Sequence, residues 1–221
     1  MTESAANPPT VPHQRRRPLK AAGETADMHI VRLQAGYRND RPDAVAALAR
    51  IRRGAGRPAN TLPDLWGLTG TERLFGYGLD EKEITRAENA VHIAVTLWAL
   101  HQQSRRDANM HVSDGPQFGS AVRKLMPGAE IDEAIRKRFV RAGTATSLDV
   151  LSQRLRDLVL LLRQAALPLD YGLLADQLYQ WQEPGGQTLV HRAWGRSFHA
   201  FRPAEAGSAA NPTSTDMKDF S

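Results

Sequence analysis

Thr146–Leu167, TSLDVLSQRLRDLVLLLRQAAL, decides how this chain folds. Leu148, Leu151, Leu155, Leu158, Leu162 and Ala165 recur at steps of three and four, which places them on one stripe of an α-helix. Thr146 or Ser147 can cap the start, with Asp149 in the electropositive first turn. Pro168 ends the helix, because the residue before a proline avoids the α region. Leu158–Leu162 is apolar on every side, and such a helix is covered by several neighbours. The spacing predicts the central helix of a C-terminal bundle, with Arg154, Arg156 and Arg163 off the leucine stripe.

The rest of the chain reads the same way. Among its 221 residues Ala, Leu, Arg, Gln and Glu dominate, aromatics make up 6%, and β-branched runs are almost absent, a composition that favours helix. Helices are expected over 28–37, from Pro42 to Gly54, from Asp80 to about Ser104, over 118–125, over 131–140, after Asp170, and over 188–201. Asp80 and Glu83 have the spacing of a capping box. The prediction is an all-α fold of two small helical bundles, 28–105 and 117–203. A polar connector over 106–116 joins them, and disordered tails over 1–27 and 204–221 flank them. Leu62, Leu65, Trp66, Leu68, Leu74 and Phe75, in the loop over 59–79, are expected to tuck against the bundle. Trp98, Trp181 and Trp194 lie on apolar stripes and are expected in the core.

Composition also narrows the function. With no cysteine there is no disulfide, thiolate metal site or cysteine nucleophile. The net charge is +5, and the surplus stays on the core when both tails are set aside, which points to a polyanionic partner. The longest charge-free apolar run, Ala90–Leu100, is far short of the ~20 residues a membrane span needs. Arg15–Arg17 has no apolar segment after it, so no signal peptide is expected and a cytoplasmic location is. No phosphate-binding loop, dinucleotide fingerprint, zinc-protease motif or nucleophile elbow occurs, so neither cofactor nor metal is expected. Of the seven histidines, His191 and His199 lie about two turns apart on one predicted helix with no carboxylate neighbour to complete a metal site, and His92 and His101 are expected to make ordinary hydrogen bonds. What remains is a set of basic clusters on a helical frame. Arg50, Arg52, Arg53 and Arg57 flank Gly54–Gly56, and Arg136, Lys137, Arg138 and Arg141 lie on one later helix.

Five segments in order carry a resemblance. They are ALARIRRGAGRP at 47–58, AVHIAVTLWALHQQS at 90–104, RFVRAGTATSLDVLSQRLRDLVLLLR at 138–163, LDYGLLADQLYQWQ at 169–182 and AWGRSFHAF at 193–201. From about Met28 to Arg202 the chain resembles the CasB family, the small subunit of the type I-E CRISPR surveillance complex Cascade. The resemblance implies an all-α, non-catalytic protein in antiviral defence. Two copies would pack head to tail and bridge the large, PAM-recognising subunit to the backbone subunits that hold the guide crRNA. Their basic surface would bind nucleic acid and hold target DNA and the displaced strand, stabilising the R-loop. Carried over by position, the implied nucleic-acid-binding residues are Arg52 and Arg53, Arg86, Arg123 and Lys124, Lys137 and Arg138, and Arg156. Two other readings stay open. One is a free-standing helical DNA-binding regulator with the helix over 131–140 in a groove; the other is a scaffold whose arginines only form ion pairs.

Overall fold

The computed structural model describes residues 18–201 apart from Pro127 and Ala129. Eight α-helices form its frame: α1 (Ala21–Arg38), α2 (Pro42–Ile51), α3 (Glu81–Gln102), α4 (Phe118–Lys124), α5 (Glu133–Gly143), α6 (Leu148–Gln164), α7 (Tyr171–Trp181) and α8 (Gly186–Ala200). Short 3-10 turns fill the segment between α2 and α3, and no strand occurs among the described residues. The fold is all-α, as the sequence predicts. Residues 1–17 and all of 204–221 of the expected tails lie outside the described residues, as do 202 and 203.

The caps follow the local chemistry. The Asp80 side chain accepts from Glu83 N–H at 2.8 Å while Glu83 accepts from Asp80 N–H at 2.9 Å, a complete capping box for α3. Ser147 caps α6 through Val150 N–H, and Asp170 caps α7 through Leu173 N–H.

The most enclosed helix is α3, not α6. Every residue from Val91 to Gln102 is buried, because α1, α6 and α7 all pack on α3. The helix can be surrounded because its run of Ala, Val, Leu and Thr keeps neighbours close without a polar face. In α6, by contrast, Leu151, Leu155, Leu158 and Leu162 of the stripe are buried, Leu148, Leu160 and Leu161 are half-exposed, and Ala165, expected on the stripe, falls past the last turn and is exposed.

The first helix starts at Ala21, so 21–27 is not a tail. Ala22, Thr25 and Ala26 are buried against α7, and Asp176 of α7 accepts from the backbone N–H groups of Lys20 and Gly23 at 2.7 Å each. Small residues that pack on a neighbouring helix look like low-complexity tail when only apolar periodicity is sought.

The 106–116 segment is tied down and partly buried. Gln34 of α1 accepts from Trp98 Nε1–H at 3.2 Å and from His111 N–H at 3.0 Å, and donates to His111 O at 3.0 Å. Next to this hub Leu169 N–H donates to Met110 O at 3.0 Å and Val112 N–H donates to Leu169 O at 3.3 Å. One hydrophobic core runs on both sides of the segment, with α1 packed on α7 and α3 on α6. Trp98, Trp181 and Trp194 are buried in it, as expected, and Trp194 Nε1–H donates to Gln177 Oε1 at 2.7 Å. On the far side Phe139 of α5 stacks on Phe198 of α8. Ile131, expected on the inner side of this helix, precedes α5 and is exposed.

Candidate nucleic-acid interface

The C-terminus of α2 runs into a 3-10 turn, Arg52–Gly54, that presents Arg53 to solvent and leaves Arg52 half-exposed. Gly56 follows with φ +78°, a left-handed conformation that glycine adopts without a Cβ penalty. The Arg156 side chain of α6 lies against Gly56: a Cβ built there would stand 2.9 Å from Arg156 Cδ and 3.6 Å from Gln153 Cα. The carbonyl of Arg57 is fixed from below, where it accepts from His92 Nε2–H at 3.1 Å. Burial pushes the His92 pKa down, against the opposing pull of this hydrogen bond.

Gln153 carries the surface onward. Together with Arg138, Arg141, Arg154 and Asp157 it lines a groove between α5 and α6 of about 610 Å³. Lys137, Arg138 and Arg141 also share a neighbouring hollow on the outer face of α5. Arg136 on the same helix is neutralised by Glu133, at 2.8 Å. The result is a basic ribbon from Arg52, Arg53 and Arg57 across Arg156 to Arg154, Arg141, Arg138 and Lys137. Its arginines project from the turn after α2 and from the faces of α5 and α6, and guanidinium groups so placed can follow phosphates without reading bases.

The residues carried over by resemblance divide accordingly. Arg52, Arg53, Lys137, Arg138 and Arg156 fall on the ribbon. Arg86 lies elsewhere, half-exposed over the Tyr179 ring at the seam of α3 and α7. Lys124 is exposed at the end of α4, 5.3 Å from the Phe201 ring centroid. Arg123 does not suit a nucleic-acid contact. It is 5% exposed, and its guanidinium donates to Met126 O at 3.1 Å and Gly128 O at 2.9 Å, closing the turn after α4. A basic dipeptide in a helix's last turn sends one side chain outward and one back over the helix, and the sequence alone does not tell which. Arg57, Arg141 and Arg154 join the ribbon although position in the resemblance did not select them. Their signal was adjacency to the chosen residues on the same helix or turn.

Arg163, expected off the leucine stripe, is turned inward together with Arg105. Arg163 donates to Gln103 O at 3.2 Å and Arg105 to Arg163 O at 2.9 Å, which locks the ends of α3 and α6 together. Trp66 and Phe75, expected against the bundle, are exposed, whereas Leu65 and Leu74 are buried.

Among the described residues, Asp27, His111 and Asp170 bring ligand atoms within 4.8 Å of one another. The hydrogen bonds there do not suit a cation. His111 Nδ1 accepts from Tyr171 N–H at 3.1 Å, so the neutral ring carries its proton on Nε2, which faces Asp27 Oδ1 at 3.1 Å. Asp170 Oδ1 is the cap of α7. The group ties α1, the 106–116 segment and α7 together. None of the described helices is long and apolar enough to cross a membrane.

Known proteins agree with this architecture. The model of the CRISPR-associated protein Cse2 family matches residues 47–199. The crystal structure of CasB from Thermobifida fusca is 53% identical, covering 82% of this chain and 99% of that one, with a TM-score of 0.75. A chain of a CRISPR RNA-guided surveillance complex shares the fold at 21% identity and a TM-score of 0.61, covering 81% of this chain and 94% of its own. Curated proteins give no match. The family match over most of the chain, together with the relative identical at more than half of its positions, shows that this protein belongs to the Cse2 (CasB) family of type I-E CRISPR-associated proteins.

Proposed function

We propose that this chain is the non-catalytic small subunit of a type I-E Cascade complex and that it stabilises the R-loop by holding the displaced DNA strand. The observation that carries this reading is the ribbon from Arg52 and Arg53 through Arg156 to Arg138 and Lys137. It joins residues more than 80 positions apart in sequence into one basic surface. In an RNA-guided complex, base pairing with the guide reads the target, and a protein that holds the unpaired strand needs only to follow its backbone. Arginines on a turn and on neighbouring helix faces meet that need, and each phosphate they neutralise adds about 0.7 to the salt slope on a single strand.

The partners on this reading are the crRNA-bearing backbone subunits, the large subunit, a second copy of this chain, and the target DNA. Cytoplasmic antiviral defence is the setting. The test is the lifetime of the R-loop on a matched target, with the guide-RNA complex assembled with and without this chain. A shorter lifetime in its absence, restored on adding it back, supports the reading. An unchanged lifetime in a fully assembled complex overturns it.

A further inference from the structure

The basic ribbon ends at a pocket. Arg57 stands at its rim, and behind it a cavity of about 930 Å³ opens between the segment over 57–71, α3 and the first turns of α6. Three features of this cavity bear on what it can hold.

The first is Trp66. It is 74% exposed and lines the mouth, whereas the other three tryptophans are buried. An indole costs much to leave in water, and one flat face held in solvent next to a cationic rim is the geometry of a stacking platform. The second is Ser152, on the inner wall. It is 2% exposed, and its Oγ has no hydrogen-bond partner. A buried hydroxyl without a partner pays a desolvation cost that a ligand atom would remove. The third is the chemistry of the walls. Glu88 and Asn89 of α3 are half-buried on the wall and Asp149 is exposed in the first turn of α6, and all three offer acceptor oxygens. They repel phosphate and suit the exocyclic amines of a base.

We infer that this pocket takes one unpaired nucleobase of the strand that follows the ribbon, stacked on Trp66 with its polar edge toward Ser152, Asn89 and the carboxylates. The inference rests on the ribbon as a single-strand path, and it adds a base-binding step to one that otherwise follows only phosphates. The phosphate stays outside beside Arg57, where the field is positive. The base enters where the walls are acidic and polar. Bases that carry an amine, such as cytosine, suit these acceptors best.

The test uses the full chain with two fluorescent single strands of equal length and charge, one of deoxycytidine and one abasic. The wild-type chain binds the deoxycytidine strand more tightly, and Trp66 fluorescence is quenched as it binds. Trp66→Ala lowers affinity for the deoxycytidine strand about tenfold and leaves the abasic strand unchanged. Ser152→Ala weakens the deoxycytidine strand alone, without loss of thermal stability, since it removes a hydroxyl that has no partner. Equal wild-type affinity for the two strands overturns the base pocket, as does a Trp66→Ala effect of the same size on both. In either case Arg57→Glu, weakening both strands together, leaves the ribbon standing. A wild-type chain that binds neither strand overturns the ribbon and the pocket alike.

Discussion

Arg156 and Gly56, a hundred residues apart in sequence, touch across the seam between α6 and the turn after α2, with only 2.9 Å from Arg156 Cδ to where a Cβ of residue 56 would be. The contact fixes how the two halves of the ribbon meet. Gly56→Ala carries two penalties. A left-handed backbone costs an alanine about 1 kcal/mol, and the new methyl pushes Arg156 aside. The expected outcome is a modest fall in the urea midpoint together with weaker single-strand binding. Arg156→Ala reproduces the binding loss with little change in stability, because the side chain is exposed.

Replacing Arg53, Arg138 and Arg156 together by alanine tests whether the ribbon acts by charge. If all three meet phosphate, the slope of log K against log salt falls by about 2. A variant that binds more weakly with an unchanged slope would mean that the three residues act through structure. Measuring affinity across a salt series distinguishes the two.

Much of this was legible in the sequence, and the parts that were not have specific causes. Caps are local, so Asp80, Ser147 and Asp170 could be read directly. The leucine stripe of α6 could be read because its period is strong. That α3 is the enclosed axis could not, since its enclosure depends on α1, α6 and α7 arriving from distant parts of the chain. The hub at Gln34 was invisible for the same reason: one amide satisfies Trp98 and both backbone groups of His111 only once the chain has folded. For the site, the charge clusters were legible. Arg123 turning inward and Trp66 standing in solvent were not, because each depends on side-chain direction; Arg57 and Arg154 could be found only as neighbours of the residues already chosen.

Gln34→Ala should be among the most damaging substitutions in the molecule. It leaves the Trp98 N–H and the His111 N–H and carbonyl buried without partners, at a cost of about 3 kcal/mol. Chemical denaturation should show the loss, and near-ultraviolet circular dichroism should show altered packing around Trp98.

Acid should destabilise the protein well before its carboxylates titrate. Burial, reinforced by the nearby Arg163 and Arg105 charges, pushes the His101 pKa down from 6.5 to about 4. Its Nδ1 accepts from the Tyr171 hydroxyl at 2.9 Å, and burial holds that phenol protonated by raising its pKa well above the usual value. Between pH 6.5 and about 4 the unfolded chain binds a proton at this site that the folded chain does not. Stability therefore rises with pH across that window and is lost as pH falls through it, by up to about 3 kcal/mol from this residue. His29, His92 and His191, lowered by burial, act in the same direction. Urea midpoints at pH 7 and pH 5 measure the slope, and His101→Phe should flatten it.

The α4–α8 contact should tolerate no added volume. A Cβ on Gly119 would stand 2.0 Å from Trp194 O and 2.8 Å from Phe198 N, both backbone atoms that cannot swing away. Gly119→Ala forces the helices apart at a cost of about 2 kcal/mol, read as a lower melting temperature, while Gly143→Ala, in open space, should be close to neutral.

The most direct test of the central claim is the lifetime of the R-loop held by a guide-RNA complex containing this chain, compared with one containing the Arg53→Glu, Arg138→Glu, Arg156→Glu variant. The basic ribbon predicts normal assembly and a markedly shorter lifetime for the variant, with the difference shrinking as salt is raised. A variant complex that assembles normally and keeps its R-loop as long as the wild type would contradict it.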